Sequence, residues 1–213
     1  EFIRDVKPGE IVSITKNGIK SDESMAISTE KQARCIFEYI YFARMDSVLD
    51  GVNVYRSRIL AGKALAKSYP VEADLVVGVP ESGLVAAKGY SEESGIPYGM
   101  AFHKNSYVGR TFIKPKQEDR ESSVKIKLNV IEEVVRGKRI VMVDDSIVRG
   151  TTSANIIKML KKAGATEVHV RISSPPFLYP CYFGTDVPSN EQLIAHSLTT
   201  EGIREKIGAD SLG

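Results

Sequence analysis

The segment Val141-Met142-Val143-Asp144-Asp145-Ser146-Ile147-Val148-Arg149-Gly150-Thr151-Thr152-Ser153 sets two adjacent carboxylates after an apolar run and a Gly/Thr/Thr/Ser loop before a helical pattern. Free backbone N–H groups and the positive end of a helix attract an anion, and small hydroxyl residues let a phosphate approach and add donors. Carboxylates beside such a loop would repel the phosphate. They make sense there only if they face diol hydroxyls or a hard cation such as Mg²⁺. Phosphate, diol and metal together describe a ribose phosphate. Taken alone, Asp144 and Asp145 read as turn solvation and Thr151, Thr152 and Ser153 as a helix N-cap. The joint pattern, unbroken from Val141 to Ser153, favours the ligand. The chain carries neither a G-x-x-x-x-G-K-[ST] phosphate loop nor a G-x-G-x-x-G dinucleotide fingerprint.

Those residues need elements to hold them, and the sequence supplies a repeated strand, turn and helix. Asp74 to Val79 is a short apolar run of the kind buried in parallel sheets, Pro80-Glu81-Ser82-Gly83 its turn, and Leu84 to about Ser94 a helix stopped by Gly95-Ile96-Pro97. Arg139 to Val143 repeats the strand, Asp144 to Thr152 the turn, and Ser153 to Ala163 the helix, with Ile156, Ile157 and Leu160 inward and Gly164 as stop. Glu167 to Ile172 is a further strand. Such alternation predicts an α/β fold with right-handed crossovers and a mostly parallel twisted sheet flanked by helices. Ligands sit at the carboxyl ends of strands in sheets of this kind, which points to the turns after Val79 and Val143. Upstream, Ile11 to Thr15 runs into an Asn17-Gly18 hairpin signal, a short N-terminal β segment. Helices are predicted over Thr29–Arg44, through Ala33, Ile36, Phe37, Ile40 and Tyr41, and over Tyr55–Ser68, through Ile59, Leu60, Ala64 and Leu65. Ser174 to Pro188 is irregular, and Ser189-x-x-Gln192 is a capping box opening a short helix.

Composition narrows the classes. The 213 residues fit one domain of ordinary size with a small appendage, and 29 Lys/Arg against 27 Asp/Glu leave a net charge of +2, no bulk attraction for nucleic acid or an anionic membrane. No apolar run approaches the ~18 residues of a membrane span and no secretory signal opens the chain. The two cysteines, Cys35 and Cys181, are too few for a disulfide scaffold. A cytoplasmic address follows as the expectation.

The stretch from Val141 to Ser153 closely resembles the phosphoribosyl pyrophosphate signature of type I phosphoribosyltransferases, and Val79-Pro80-Glu81-Ser82-Gly83 resembles that family's pyrophosphate loop. The resemblance implies the type I phosphoribosyltransferase fold. It assigns the 5′-phosphate to the loop with Ser146, Arg149, Gly150, Thr151, Thr152 and Ser153, the ribose hydroxyls and magnesium to Asp144 and Asp145, and the pyrophosphate to Ser82 and Gly83, Ser82 also touching the magnesium; Glu81 and Lys104 are further substrate-binding candidates. Alone, Pro-Glu-Ser-Gly is only a tight turn, and Glu81 stands where the nearest subfamily usually has aspartate. Cys35–Arg44, Gly89–Gly99 and Lys104–Ile113 further resemble the glutamine phosphoribosylpyrophosphate amidotransferases over nearly the whole chain. Those enzymes make phosphoribosylamine from phosphoribosyl pyrophosphate and glutamine-derived ammonia, the first step of purine synthesis. By that resemblance residues 1–28 are the end of a glutaminase domain and its linker, and residues 29–213 are the phosphoribosyltransferase domain, shortened at its C-terminus. The glutaminase itself, with its first-residue cysteine, has no counterpart here.

Cleavage at the anomeric carbon needs water kept out. The candidate closing loop runs from about His103 to Ser123, where Lys104, Arg110, Lys114 and Lys116 alternate with Tyr107, Val108, Phe112 and Ile113 without a period. The resemblance makes Tyr107, Arg110, Thr111 and Phe112 catalytic-loop residues; a solvated surface loop is the plain alternative. Cys35 and Cys181 match two of the four cysteines that hold a [4Fe-4S] cluster in some relatives, so a cluster is expected only in a longer protein. The resemblance also implies a homo-oligomer inhibited by purine nucleotides. Two other functions stay open: a noncatalytic regulator on the same fold, which should carry a nucleic-acid-binding appendage or basic face, and a salvage enzyme transferring ribose phosphate to a base.

Overall fold

In the computed structural model, which describes residues 3–26, 34–105, 128–185, 187 and 189–213, strand β1 (Ile11–Thr15) pairs antiparallel with β2 (Gly18–Asp22). Thr15 lies opposite Gly18, so Lys16 and Asn17 form the two-residue turn and Gly18, at φ 112°, opens the second strand. The expected Asn-Gly turn is displaced by one residue: the positive φ only glycine tolerates easily is used at the strand start. This hairpin belongs to the compact unit Glu1–Cys35, and the remaining elements belong to the unit Ile36–Gly213.

The second unit runs from a π-helical turn at Glu38–Phe42 through β3 (Val48–Leu49), β4 (Val52–Asn53), α1 (Val54–Ser68), β5 (Leu75–Gly78), α2 (Gly83–Ser94), β6 (Phe102–Lys104), β7 (Leu128–Val130), α3 (Glu132–Val135), β8 (Arg139–Asp144), α4 (Thr151–Lys162) and β9 (Glu167–Ile172). It ends with a 3₁₀ turn at Asn190–Gln192, α5 (Ile194–Ser197), α6 (Thr200–Ile207) and β10 (Ser211–Leu212). Strands pair in the order β10-β9-β8-β5, all parallel. The α/β class expected from sequence, a parallel sheet flanked by helices, holds.

Alternation along β8 builds the layers. Ile140 and Met142 face a core with Leu75, Val77, Val168 and Val170, closed by Ile156, Ile157 and Leu160 of α4. Val141 and Val143 face the other way with Val76, against Ala86, Ala87 and Tyr90 of α2. A strand covered on both sides must be apolar throughout, which is why it reads as a continuous run.

Three expectations are corrected. The buried residues of α1 are Val54, Arg58, Gly62 and Ala66, while Leu60 is 55% exposed. The helix turns its small residues inward because α1 and α2 approach at backbone distance: a Cβ on Gly62 would lie 1.9 Å from Ala86 O, and one on Gly89 2.2 Å from Ile59 O. Of the helix expected over Thr29–Arg44, residues 29–33 lie outside the described residues, and the remainder holds the short π turn closed by Ala43 N–H on Glu38 O at 2.9 Å. The capping box is not formed: Ser189 makes no cap hydrogen bond and its hydroxyl lies on Glu191 instead.

Candidate functional site

The turns after β5 and β8 meet at the carboxyl end of the sheet. Gly78 lies in register with Val143, and the N–H of Val79 donates to Val143 O at 2.9 Å, which carries the pairing one residue past the strand. Beyond it the Pro80–Glu81 peptide is cis, and Gly83 opens α2 so close to β8 that a Cβ there would stand 2.5 Å from Val143 O. Only glycine permits that approach. It brings the Ser82 hydroxyl onto Asp145 Oδ2, 63 residues away in sequence. The Ser146 hydroxyl donates to the other oxygen of the same carboxylate.

Asp144 and Asp145 are 8% and 7% exposed at the tip of the central strand. Asp144 accepts the N–H of Asp145 at 2.8 Å, and the carbonyl of Asp144 accepts Ser173 N–H at 3.0 Å, so the strand end is held from both neighbours. Burial, and then the adjoining Asp145 charge, pushes the Asp144 carboxyl well above the ordinary carboxylate range. Two hard-oxygen groups so placed, beside a hydroxyl, suit a Mg²⁺ ion shared with substrate oxygens and water. They are not an all-protein cage, since among the described residues no three His, Cys, Asp or Glu converge as metal ligands.

Past the acids the chain reaches α4 through Gly150, at φ 79°, and no side chain caps the helix. The N–H groups of its first turn are therefore left for an external acceptor at the positive end of the helix dipole. The helix begins at Thr151, two residues earlier than the pattern suggested, so Thr151 and Thr152 are helical rather than turn. Thr151 and Thr152 are exposed while Ser153 is buried. The Arg149 guanidinium is turned onto Gln192 Oε1. Lys104, at the end of β6, donates to Glu81 Oε1 at 2.9 Å.

Of the residues singled out in the sequence, the structure thus brings Ser82, Gly83, Asp144, Asp145 and Ser146 together, with Glu81 and Lys104 paired in the adjoining turn. Tyr107, Arg110, Thr111 and Phe112 lie outside the described residues. Cys35 is exposed, and the Cys181 thiol is drawn down to about 7 by the Thr185 hydroxyl first and by the N–H groups of Phe183, Thr185 and Gly184. Two thiols are half of a four-thiolate set and hold no cluster by themselves.

One residue escaped the sequence analysis. Arg58 is 7% exposed and donates to Tyr39 O at 2.7 Å and Ala43 O at 2.9 Å, tying α1 to the π turn. Burial lowers the proton affinity of its guanidinium, and the charge of Asp145 counters that, so the pair interacts electrostatically. No pattern in the sequence separates it from a solvated helix arginine; only the inward face of α1 does.

The arrangement can bind a polyanion at two points with a diol or hard cation between them. The family described as phosphoribosyl transferase domain matches residues 50–173. The chain is 58% identical over 212 residues to the amidophosphoribosyltransferase of Archaeoglobus fulgidus, covering 100% of this chain and 46% of that protein. It is 54% identical over 212 residues to that of Bacillus subtilis, covering 99% and 44%. It superposes with TM-score 0.83 at 53% identity on the glutamine phosphoribosylpyrophosphate amidotransferase of B. subtilis complexed with ADP and GMP, covering 99% of this chain and 46% of that one. The chain spans less than half the length of these relatives.

Proposed function

This chain belongs to the phosphoribosyl transferase domain family, and from that premise we propose that it is the synthase part of an amidophosphoribosyltransferase, joining ammonia to C1 of phosphoribosyl pyrophosphate. The observation that carries the proposal is the contact of Ser82 with Asp145, which fuses an uncapped helix end, a buried acid pair and a second turn into one edge.

In this proposal the first-turn N–H groups of α4 hold the 5′-phosphate, with Ser146, Gly150, Thr151 and Thr152 around it. Asp144 and Asp145 take the ribose hydroxyls, and the Ser82-Gly83 turn with Lys104 takes the pyrophosphate. A magnesium ion, for which Asp144, Asp145 and the Ser82 hydroxyl are the candidate protein ligands, would supply charge neutralisation for the departing diphosphate. The nitrogen lone pair forms the bond to C1 as the C1–O bond breaks, both electrons of that bond leave with pyrophosphate, and the surplus proton on nitrogen goes to solvent. Positive charge develops on the sugar in between, and the fixed oxygens of the acid pair beside the ring stabilise it without reorganising. Holding both phosphate ends also fixes C1 in place, which is the larger part of the task when the nucleophile is small. Inhibition by purine nucleotides at the same edge, a homo-oligomer, a cytoplasmic address and ammonia delivered from glutamine by another domain belong to the same proposal for the longer protein.

The test is one assay of pyrophosphate release with Mg²⁺ and phosphoribosyl pyrophosphate, supplied in turn with ammonium, glutamine or free purine and pyrimidine bases. Release with ammonium is expected. Release with bases alone would replace the proposal with salvage, and unaltered substrate in every arm would replace it with a noncatalytic binding role.

A further inference from the structure

The turn that holds Ser82 and Gly83 also carries a full negative charge, Glu81, and under the function proposed above that charge lies beside the place where a diphosphate sits. It is answered by Lys104, whose Nζ lies 2.9 Å from Glu81 Oε1. Lys104 ends β6 and Glu81 follows β5, so the pair crosses from one strand's end to another's at the edge of the site. Both side chains are partly in solvent, at 33% and 60% exposure, which keeps the attraction weak and readily exchanged. A lysine is a compact point charge on a flexible stem and can turn from one anion to another. A diphosphate offers it more than one negative charge, where Glu81 offers one.

We infer that Glu81 acts as an internal competitor for Lys104, holding its ammonium between turnovers and yielding it only to a ligand whose group at this turn is more highly charged than a carboxylate. Glu81 is then a positioning and specificity residue acting through Lys104. It disfavours singly charged groups at the turn, which must displace it on equal terms, and it stores Lys104 next to the site.

A double-mutant cycle on the full chain tests this, with the affinity of inorganic pyrophosphate in excess Mg²⁺ measured by titration calorimetry. Glu81→Gln should tighten pyrophosphate, and it should do so about two- to fivefold more with Lys104 present than in a Lys104→Met background, the factor equal to the ion pair given up on binding. The background subtracts the plain repulsion between Glu81 and the ligand, which both arms share. Equal effects in the two backgrounds, or a larger effect without Lys104, overturn the inference. Melting curves exclude misfolding, and Lys104→Gln replaces Lys104→Met should the latter be unstable. Wild type that binds neither pyrophosphate nor phosphoribosyl pyrophosphate defeats the proposed function as well; wild type that binds both while the cycle shows no coupling defeats this inference alone.

Discussion

Gly83→Ala sets two physical effects against each other with opposite signs. Inside a helix the change should stabilise, by up to about 1 kcal/mol, because alanine loses less chain freedom than glycine. At this position the new Cβ would lie 2.5 Å from Val143 O and 3.2 Å from Asp144 Cα, both backbone atoms that cannot rotate away. Ordinary contact begins at 3.4 Å, so α2 and the end of β8 must part by 3.4 − 2.5 = 0.9 Å. Overpacking of that kind costs about 1–3 kcal/mol. The net expectation is a loss of about 1 kcal/mol, a fall of about 2–4 °C in melting temperature for a chain of this size. The functional effect should be larger, because the displaced helix carries Ser82 off Asp145, and a misplacement near 1 Å costs about a hundredfold in rate. Gly202→Ala in α6 is the internal control: its Cβ would meet nothing nearer than 3.4 Å, so only the helix-forming gain applies and the melting temperature should hold or rise. Calorimetry and the ammonium-dependent assay on both variants decide the matter. A Gly83→Ala protein as stable and as active as wild type would refute the close-approach reasoning.

Asp144→Asn with Asp145→Asn should abolish turnover while leaving the fold intact, and a wild-type rate in that variant would sink the site assignment. The raised proton affinity of Asp144 means that the fold disfavours its charged form, so its contribution is whole below the ordinary aspartate range and is lost as pH rises through the raised value. Melting curves of Asp144→Asn against wild type should therefore separate in the variant's favour on going from about pH 6 to about pH 9; parallel curves would contradict this. Arg58→Met leaves Tyr39 O and Ala43 O without their donors and should cost about 2–4 kcal/mol in urea unfolding, with Arg58→Lys recovering part of it. In a Cys35→Ser background, iodoacetamide labelling of Cys181 should reach half its maximal rate near pH 7, and Thr185→Val should move that midpoint upward. A midpoint at the free-thiol value of about 8.5 would remove the role given to Thr185.

The strand, turn and helix repeats were legible because their causes are local. A strand buried on both faces has to be apolar, which marked Leu75–Gly78 and Arg139–Asp144, and glycine followed by proline has to end a helix, which marked Ser94. The acid pair and the Gly-Thr-Thr-Ser stretch were legible for the same reason, since adjacent residues carry their chemistry within one turn. Other features had no local cause to read. Arg58 and Leu60 sit in one amphipathic pattern, and hydrophobicity alone would bury the leucine. The structure buries the arginine, because Gly62 and Gly89 let two helix backbones close to a distance that admits no side chain between them.

The sequence by itself determined which residues were candidates for the site, the anion nest and the acid pair from their local chemistry and the second turn from family resemblance, and that parallel strands would present them at their carboxyl ends. Tertiary structure alone decided that Ser82 reaches Asp145, that Lys104 pairs with Glu81, that Arg149 turns to Gln192 and that Arg58 enters the interior. The physical reason is range. Propensity and periodicity act over a few residues, whereas contacts between β5, β6 and β8 depend on strand pairing and on how closely two helices can approach, and no window of the chain contains both partners.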